Sequence, residues 1–578
     1  MIENPQIARI FDEIADCLEL QDANPFRIRA YRNAARVLRD LPEPATAIAK
    51  ESPKKLQELP GIGKDLAGKI RAIIETGDLP LHLQLCRKVP AGLRAMMGLP
   101  GLGPKRAMLL HRKLGIATLA ELRLAAFERR IRDLKGFGEK TEEAILRGLD
   151  RLEREGRRVL WAEARPYAEA LTARLEETRG VGRVEAAGSY RRRRETVGDL
   201  DVLAACADAG AVMDRLASYD GVGRVLARGP TQMSVRLTNG LQVDLRVVPE
   251  ESFGAALQYF TGSKEHGIEL RARALARKLK LNEYGVFRGR RRVAGRAEEE
   301  VYGALGLPWI PPELREGRGE VEAAAAGRLP SLVALADVKG DLHMHTTVTD
   351  GRDGLEAMAE GAKARGYEYV AITEHSKRVT MARGLDAAGL RKHWAAIDRL
   401  AARTPGLALL KGVEVDILDD GSLDLPDEVL READWVLASL HYGQRQPRAQ
   451  ITRRLLRAIE NPVVSAIGHP TGRLLGKRPA YDVDFERVLA AAAGHGCVLE
   501  LDGQPDRLDL DDVHLIAAKG KGVPIVVDSD AHSVHELGNM EYGIFQARRG
   551  GLTPGDVLNT RPLSALRALR RSARAGRA

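Results

Sequence analysis

The sequence has 578 residues, enough for several domains, and its 44% of hydrophobic residues is ordinary for globular protein. The net charge of +10, from 90 basic against 80 acidic residues, suits a nucleic-acid partner but does not require one. The four scattered cysteines argue against a disulfide framework or a cysteine zinc site. We expect neither a membrane anchor nor a secretion signal, and hence a cytoplasmic protein.

Short amphipathic helices separated by glycine turns are predicted for residues 1–150. Three segments, at 59–70, 99–110 and 134–146, share a Gly-x-Gly between apolar residues, followed by a lysine and a helix. This is a helix-hairpin-helix signature, because the glycines let backbone N–H groups face a phosphate at a helix N-terminus. Such contacts go to the DNA backbone and carry no base information. The predicted contact residues of the first two copies are Gly61, Gly63, Lys64, Gly101, Gly103 and Lys105.

A predicted strand then follows a Gly-Ser turn and four arginines, in GSYRRRRETVGDLDVL at 188–203. Residues two apart on a strand share a face, so Asp199 and Asp201 lie opposite Leu200 and Val202. Two such carboxylates repel each other unless a cation lies between them, which indicates a divalent-metal site for phosphoryl transfer. The N–H groups of the turn and the arginines are suited to phosphates. The alternative is a solvated strand end beside a basic loop.

A third carboxylate is expected on a neighbouring strand. Residues 233–237 and 241–248 are predicted to form a β-hairpin, because the Asn-Gly between them is a turn signal. In LQVDLRVV, Asp244 falls on the polar face and can join the first two aspartates above one sheet. The predicted catalytic and metal-binding set of this region is therefore Asp199, Asp201 and Asp244.

Histidines mark a second constellation, since only three of the 13 precede Asp341. From residue 336 onward, seven apolar strands alternate with amphipathic helices, and almost every strand ends in a candidate ligand. In a parallel β/α barrel these strand ends converge on one rim. Imidazole combined with carboxylate fits Zn²⁺ or Mn²⁺. The candidate ligands are His343, His345, Asp350, His375, Glu414, His441, His469, Asp530 and His532.

The region of the three aspartates resembles the palm of family X DNA polymerases, in the nucleotidyltransferase superfamily. YFTGS at 259–263 and NEY at 282–284 resemble that family's sugar-contacting and thumb segments. The resemblance implies that Asp199 and Asp201 hold two Mg²⁺ ions, that Asp244 helps to activate the primer 3′-OH, and that Arg271 lies near the template strand. The nucleotide contacts that it implies are Ser189, Arg192, Gly198, Tyr259, Phe260 and Gly262.

The first helix-hairpin-helix copy and the helix before it resemble the lyase domain of the same family. There a lysine forms a Schiff base with a 5′-deoxyribose phosphate. The matching residue is Lys69, which makes it a candidate lyase nucleophile. Asp65 stands where the animal members carry a phosphate-contacting lysine, so a plain phosphate contact is the alternative role for Lys69.

The histidine constellation resembles the PHP (polymerase and histidinol phosphatase) domain, a seven-stranded β/α barrel with three metals. The resemblance implies a metal-activated hydroxide that attacks a phosphodiester. By this resemblance one metal is bound by His343, His345, Glu414 and Asp530, a second by Asp350, His375 and His532, and a third by Glu414, His441 and His469.

We therefore predict a multidomain α/β and all-α chain. Its expected parts are a lyase-like DNA-binding domain at 1–90, a second helix-hairpin-helix domain at 91–150, a nucleotidyltransferase palm with a mixed sheet at 151–250, a thumb at 251–315, a linker at 316–335 and a seven-stranded PHP barrel at 336–578.

The expected function is templated DNA synthesis in short gaps during repair, coupled to 3′–5′ exonuclease activity and to processing of abasic or blocked 3′ ends. The expected partners are gapped or primer–template DNA and deoxynucleoside triphosphates, and the chain is expected to be a monomer. The expected cofactors are Mg²⁺ in the palm and up to three Mn²⁺ or Zn²⁺ ions in the barrel. The alternatives are a PHP half that acts on small phosphomonoesters and a non-catalytic DNA-binding scaffold.

Overall fold

The computed structural model describes residues 4–21, 23–41, 45–52, 54–89, 91–97, 99, 102–134, 136–155 and 158–568. The chain divides into two compact units, Met1–Arg157 and Arg158–Ala578. Within these described ranges, no helix is both long enough and apolar enough to cross a membrane.

The first unit is helical. Ile7, Phe11, Ile14 and Leu18 recur every three or four residues and are buried, so the first helix has one apolar face. One apolar core runs from Ile7 to Leu149, so residues 1–90 and 91–150 share a core. The helices are α1 (Asn4–Leu20), α2 (Pro25–Asp40), α3 (Ala45–Glu51), α4 (Lys64–Thr76), α5 (Pro80–Lys88), α6 (Ala91–Met96), α7 (Pro104–Leu114), α8 (Leu119–Phe127) and α9 (Glu139–Glu155).

The second unit begins with a mixed five-stranded sheet, as the sequence predicts. Its strand order is β2-β4-β7-β6-β5, with β4 and β7 parallel and the other pairs antiparallel. The predicted hairpin is formed by β6 and β7. The elements are β1 (Val159–Leu160), α10 (Trp161–Glu176), β2 (Val181–Ala186), α11 (Gly188–Arg191), β3 (Thr196–Val197), β4 (Asp199–Cys206), α12 (Ala209–Ala217), β5 (Val222–Arg228), β6 (Gln232–Leu237) and β7 (Gln242–Val248).

Helices and a three-stranded antiparallel sheet follow. They are α13 (Phe253–Thr261), α14 (Lys264–Ala276), β8 (Lys280–Asn282), β9 (Gly285–Arg288), β10 (Arg291–Ala294), α15 (Glu298–Ala304) and α16 (Glu320–Ala325). The structure differs from the prediction at 316–335, where a linker is expected. Glu316 and Glu320 are buried there, because each carboxylate pairs with a buried cation or imidazole, as at His266 with Glu320 (2.7 Å).

The carboxyl-terminal part contains seven parallel strands in sequential order. A parallel bridge between Met344 and Ala531 joins the ends of the first and last strands and nearly closes the barrel. Leu342 N also donates to Asp528 Oδ1 at 2.7 Å across this seam. The strands are β11 (Gly340–Asp341), β12 (Tyr369–Ile372), β13 (Ala408–Asp416), β14 (Trp435–Ser439), β15 (Ala466–Ile467), β16 (Val498–Asp502) and β17 (Ile525–Asp528).

Alternate residues of these strands face two apolar layers. Val370 and Ile372 share a layer with helix residues such as Trp394, whereas Tyr369 and Ala371 join a layer made almost wholly of strand residues, which fills the barrel. The helices are α17 (Leu355–Ala364), α18 (Ala387–Ala401), α19 (Asp427–Leu430), α20 (Arg448–Glu460), α21 (Phe485–His495), α22 (Asp512–Gly520) and α23 (Met540–Arg549).

Helix α23 of the barrel packs against the five-stranded-sheet domain. The Phe545 and Trp161 rings are 5.2 Å apart at an angle of 67°. The Arg193 guanidinium lies over both rings, 4.2 Å from the Phe545 centroid and 4.6 Å from that of Trp161. Cation–π contacts of this kind stabilise a desolvated arginine without a carboxylate.

Candidate active sites

The first candidate site lies on the polar face of the five-stranded sheet. Asp201 on β4 and Asp244 on β7 are direct partners on neighbouring parallel strands, and Asp199 lies two residues before Asp201. Asp244 accepts a hydrogen bond from Ser234 and one of 2.9 Å from Gln242 Nε2. Strand alternation therefore brings the three predicted carboxylates to one surface.

These carboxylates repel one another. Burial and the neighbouring Asp199 and Asp244 together raise the pKa of Asp201 to about 7, although Arg192 and Arg246 oppose the shift. A carboxyl group in such surroundings is easily ionised only when a cation is bound beside it. The donor set is all oxygen, which is the chemistry that Mg²⁺ prefers. The residues present therefore fit a divalent ion of this class.

The Gly-Ser turn approaches this cluster closely. A Cβ on Gly188 would stand 2.1 Å from Asp201 Oδ2, and Gly188 has a φ of +60°, so only glycine fits here without strain. Ser189 follows it in the four-residue helix α11. Gly198 directly precedes Asp199 and is exposed. The structure thus brings Gly188, Ser189 and Gly198 next to the aspartates.

Arg192, a predicted nucleotide contact, is held by carboxylate and carbonyl groups. Its Nε lies 3.1 Å from Glu316 Oε1, and its Nη1 donates to the Thr261 carbonyl. Gly262 follows, and a Cβ there would lie 3.2 Å from Arg192 Nη1. Arg192 and Gly262 are therefore neighbours, and the guanidinium is already paired.

The remaining predicted contacts lie on α13 and α14. The Tyr259 and Phe260 rings meet edge to face at 5.2 Å, and Arg246, two residues beyond Asp244, lies 5.2 Å from the Phe260 centroid. Tyr259 is 43% exposed, and Arg271 is exposed on α14. Phe260 is thus close to the carboxylate face, whereas Tyr259 and Arg271 present exposed side chains.

The second candidate site lies at the strand ends of the barrel, where all nine predicted side chains meet. His343, His345 and Asp350 follow β11, His375 follows β12, and Glu414 lies on β13. His441 follows β14, His469 follows β15, and Asp530 and His532 follow β17. His469 and Asp530 have φ values of +28° and +47°, a region that non-glycine residues rarely adopt. Strain at such positions is typical of functional sites.

Glu414 lies at the centre of this cluster. Its Oε2 is 2.7 Å from His375 Nδ1 and 3.6 Å from His343 Nε2, and its Oε1 is 3.0 Å from His469 Nε2 and 3.3 Å from His441 Nε2. The ligand atoms form three groups: His343, His345 and Asp530; His345, Asp350, His375 and His532; and His375, Glu414 and His441. These observed groups overlap with the predicted ligand sets. They differ in that His345 and His375 each belong to two of the observed groups.

Burial and neighbouring charges shift the pKa values of the groups in this cluster in opposite directions. Burial, with His375 and His532 nearby, lowers the pKa of His345 to about 3. Burial also opposes a charged His375, but Glu414 and Asp350 raise its pKa to about 10. Glu414 and Asp530 keep pKa values well below the usual range, against their burial, because several imidazoles surround each of them.

This cluster is suited to transition metals. His345 Nδ1 is buried and, among the described residues, has no hydrogen-bond partner, so it is left as a ligand atom. A buried polar atom without a partner is costly unless an ion or water satisfies it. The mixture of imidazole and carboxylate fits Mn²⁺ or Zn²⁺. The residues present therefore fit such ions, at up to three positions.

The sequence reasoning missed the groups that orient these ligands. Glu500 on β16 is fully buried, lies 2.6 Å from His343 Nδ1 and accepts from His469 N at 2.5 Å. Asp416, two residues after Glu414, lies 3.1 Å from His441 Nδ1. Acidic residues at i and i+2 near a strand end were the available signal, since 414–416 and 500–502 both have that pattern.

The predicted DNA-backbone contacts of the first unit lie at helix starts. In the three repeats, Ile62 N, Leu102 N and Phe137 N donate to the carbonyl three residues earlier at 3.0, 3.0 and 2.9 Å. Gly63 and Gly103 are the N-caps of α4 and α7, Lys64 and Lys105 lie in the first turns, and Gly61 has a φ of +76°. The prediction for Gly101 lies outside the described residues. The repeated turn leaves backbone N–H groups at each helix start.

Lys69 lies on α4, paired with Asp65 and 5.1 Å from the Tyr31 ring centroid. Burial alone would lower the pKa of Lys69, but Asp65 and Tyr31 raise it above its usual value. A Schiff-base nucleophile must be a neutral amine. This geometry therefore favours the phosphate contact over the lyase role.

Comparison with known proteins agrees with this organisation. Family models match four segments: a helix-hairpin-helix domain at 2–79, a SAM-like helix-hairpin-helix tandem at 93–151, a DNA polymerase beta thumb at 256–316 and a PHP domain at 341–502. The chain is 38% identical over 567 residues, 97% of this chain and 98% of the relative, to the DNA polymerase/3′-5′ exonuclease PolX of Bacillus subtilis.

Other relatives cover the barrel alone. Over 228 residues the chain is 33% identical to a probable phosphatase of Thermoanaerobacter sp., which accounts for 38% of this chain and 85% of that protein. A probable phosphatase of Vibrio campbellii is 33% identical over 217 residues, 35% of this chain and 81% of its own length.

The chain has helix-hairpin-helix repeats, then a polymerase-type palm and thumb, and then a PHP barrel with a candidate metal cluster. This arrangement defines a class of nucleic-acid enzymes with two active sites. The chain belongs to the family X DNA polymerases of the PolX type, which carry a PHP domain at the carboxyl end.

The first prediction concerns the stability of the metal-free palm. Asp201→Asn removes an ionised carboxylate from beside two others and should raise the free energy of unfolding by on the order of 2 kcal/mol in EDTA above pH 7. Because the folded-state pKa is raised to about 7, this gain should fade as the pH falls from 7 and be lost below the ordinary value of 3.8, where Asp201 is protonated in both states. Denaturant unfolding of the variant and the wild type at several pH values measures this difference in the free energy of unfolding.

Asp220→Asn is the matched control, because Asp220 is exposed in the same domain. It should leave stability unchanged. If Asp201→Asn has no stabilising effect above pH 7, the three carboxylates do not repel one another as described.

The second prediction concerns Glu500. Glu500→Gln keeps the shape of the side chain but weakens its hold on His343, so Mn²⁺ binding to the barrel should weaken by about 10–100-fold. Titration of the full-length protein with Mn²⁺, followed by electron paramagnetic resonance, measures this change. Glu368→Gln removes a surface partner of Lys339 and should bind Mn²⁺ normally. Equal affinities in the two variants would contradict an orienting role for Glu500.

Proposed function

We propose that this chain fills short gaps in DNA by templated synthesis at the palm and removes 3′ nucleotides at the PHP barrel. The observation that carries the proposal is the presence of two separate ligand clusters of different chemistry, three carboxylates in one and imidazoles around Glu414 in the other. The relative from Bacillus subtilis carries both activities in its name.

At the palm, Asp199, Asp201 and Asp244 would hold two Mg²⁺ ions, which stabilise an attacking 3′-oxygen and a departing pyrophosphate when bound. Asp244 would draw the proton from the primer hydroxyl. Ser189 and the N–H groups of the Gly-Ser turn would bind the triphosphate. The Phe260 ring and Gly262 would contact the sugar. Arg192 would have to exchange its partner Glu316 for a phosphate.

At the barrel, the nine ligands would hold up to three Mn²⁺ or Zn²⁺ ions, which lower the pKa of bound water for attack on a phosphodiester. The chain's own contribution is to fix the ligands. Glu500 orients His343, and Asp416 orients His441. Such partners set ring orientation and ligand basicity.

The DNA partner would be a gapped or primer–template duplex, held through its backbone by the three helix-hairpin-helix turns. We infer deoxynucleoside triphosphates as the second substrate and a monomer as the working form. Processing of abasic or blocked 3′ ends would use the same barrel site.

A second candidate for the barrel is hydrolysis of small phosphomonoesters. The barrel relatives named probable phosphatases favour it. The fusion to three helix-hairpin-helix turns favours a DNA end instead. A small aromatic phosphomonoester assayed beside a 3′-recessed primer separates the two, because preference for the small substrate would reject the exonuclease.

The third prediction tests the division of labour. On DNA with a one-nucleotide gap, Asp199→Ala should abolish nucleotide addition with Mg²⁺ and leave Mn²⁺-dependent 3′ digestion intact. His343→Ala should do the reverse, because each change removes a ligand from one cluster only. Extension and degradation of a labelled primer measure both activities.

Circular dichroism shows that each variant is folded, and Asp220→Asn serves as a control that should keep both activities. Loss of both activities in either folded variant would reject the proposal of two independent sites.

A further inference from the structure

A third cluster of ligand-type side chains lies in the helical unit. Glu13 of α1 and His82 and Cys86 of α5 bring one ligand atom each to within 4.8 Å of one another. His82 Nε2 is 3.0 Å and Cys86 Sγ 3.9 Å from Glu13 Oε2. A tetrahedral zinc site with its usual bond lengths has ligand atoms about 3.3–3.8 Å apart. The spacing is therefore close to that of a metal site.

A second cysteine lies on the same face of α1 as Glu13. Glu13 and Cys17 are four apart on α1, and His82 and Cys86 are four apart on α5, so each pair lies on one helix face. Cys17 is fully buried, and burial with the neighbouring Cys86 thiol raises its pKa to about 12, so this thiol keeps its proton. The ligand atoms that lie within 4.8 Å of one another are therefore those of Glu13, His82 and Cys86.

A further contact matches the usual surroundings of a metal-bound histidine. His82 Nδ1 lies 2.7 Å from Asp78 Oδ1, so the ring is oriented with Nε2 toward Glu13. A carboxylate on the remote nitrogen is what metal-binding histidines usually have. His82 is only 12% exposed, which limits competition from water.

We propose that Glu13, His82 and Cys86 form a site for a thiophilic divalent ion of the Zn²⁺ class, which fastens α1 to α5. One sulfur, one nitrogen and one oxygen ligand suit this ion. Binding would release the Cys86 thiol proton. The sequence pattern argues against a cysteine zinc site only because its ligands come from two distant helices instead of one Cys-x-x-Cys motif.

One residue competes with the ion. Arg94 Nη1 lies 2.9 Å from Glu13 Oε2 and keeps the pKa of Glu13 below its usual value, against the effect of burial. Metal binding has to displace this guanidinium or share the carboxylate with it. The plain alternative is that Glu13, His82 and Arg94 form an ion-pair network that holds α1, α5 and α6 together.

The fourth prediction uses Co²⁺ as the probe with the reduced full-length protein. The barrel and palm ligands include no cysteine, so a near-ultraviolet thiolate-to-cobalt charge-transfer band reports on the proposed site alone. The wild-type protein should bind one more equivalent of Co²⁺ than the palm and barrel sites bind, and this extra equivalent should produce the band. Addition of Zn²⁺ should displace Co²⁺ and remove the band. Cys86→Ser should lose the band, whereas Cys17→Ser and Cys206→Ala should keep it.

Two further variants separate a metal site from an ion-pair network. Asp78→Asn should weaken Co²⁺ binding by about 10–100-fold. Arg94→Gln should tighten it, because the competing cation is gone, although the same change would only destabilise an ion-pair network. Absence of the band in wild type, its survival in Cys86→Ser, or weaker Co²⁺ binding in Arg94→Gln would each overturn the proposal. These outcomes leave the two proposed activities untouched.

Discussion

Close packing of titratable side chains is the constraint on which both candidate active sites depend. At the palm, register pairing places Asp201 beside Asp244, and Gly188 closes one side of Asp201, so these two carboxylates stay close together while Asp199 is exposed beside them. The fold pays for this arrangement in stability, and a bound cation removes the cost. Without that confinement the same three residues would be an ordinary acidic surface.

The barrel meets the same constraint with a different partner. Its buried carboxylates, Glu414 and Asp530, are surrounded by imidazoles that can carry positive charge themselves. Carboxylates and imidazoles therefore stabilise one another in the metal-free cluster, and Glu500 and Asp416 fix the rings from behind. The palm depends on a bound metal ion for charge balance. The barrel cluster is balanced by its own imidazoles, and its contribution to metal binding is the fixed orientation of its ligands.

Charged side chains also connect the two halves of the second unit. Arg549 of α23 is buried, donates to the Arg192 carbonyl at 2.8 Å and pairs with Glu316 and Asp512. Glu316 in turn pairs with Arg192, the predicted triphosphate contact. Buried ion pairs add little net stability because desolvation is costly, but they fix relative positions. The barrel thereby contributes to the placement of an arginine at the palm.

The features that follow from the periodicity of strands and helices could be predicted from the sequence. The features that depend on pairing between residues distant in the sequence were missed. Strand alternation at Asp199 and Asp201, and histidines at strand ends, follow from local geometry and could be predicted. Residues 316–335 are rich in charge and alanine, as linkers are, and nothing local shows that Glu316 and Glu320 meet buried partners. The acidic pair at 500 and 502 was a local signal, but the role of Glu500 exists only where β16 passes His343. A charged residue is exposed by default, and only the folded partner reverses that expectation.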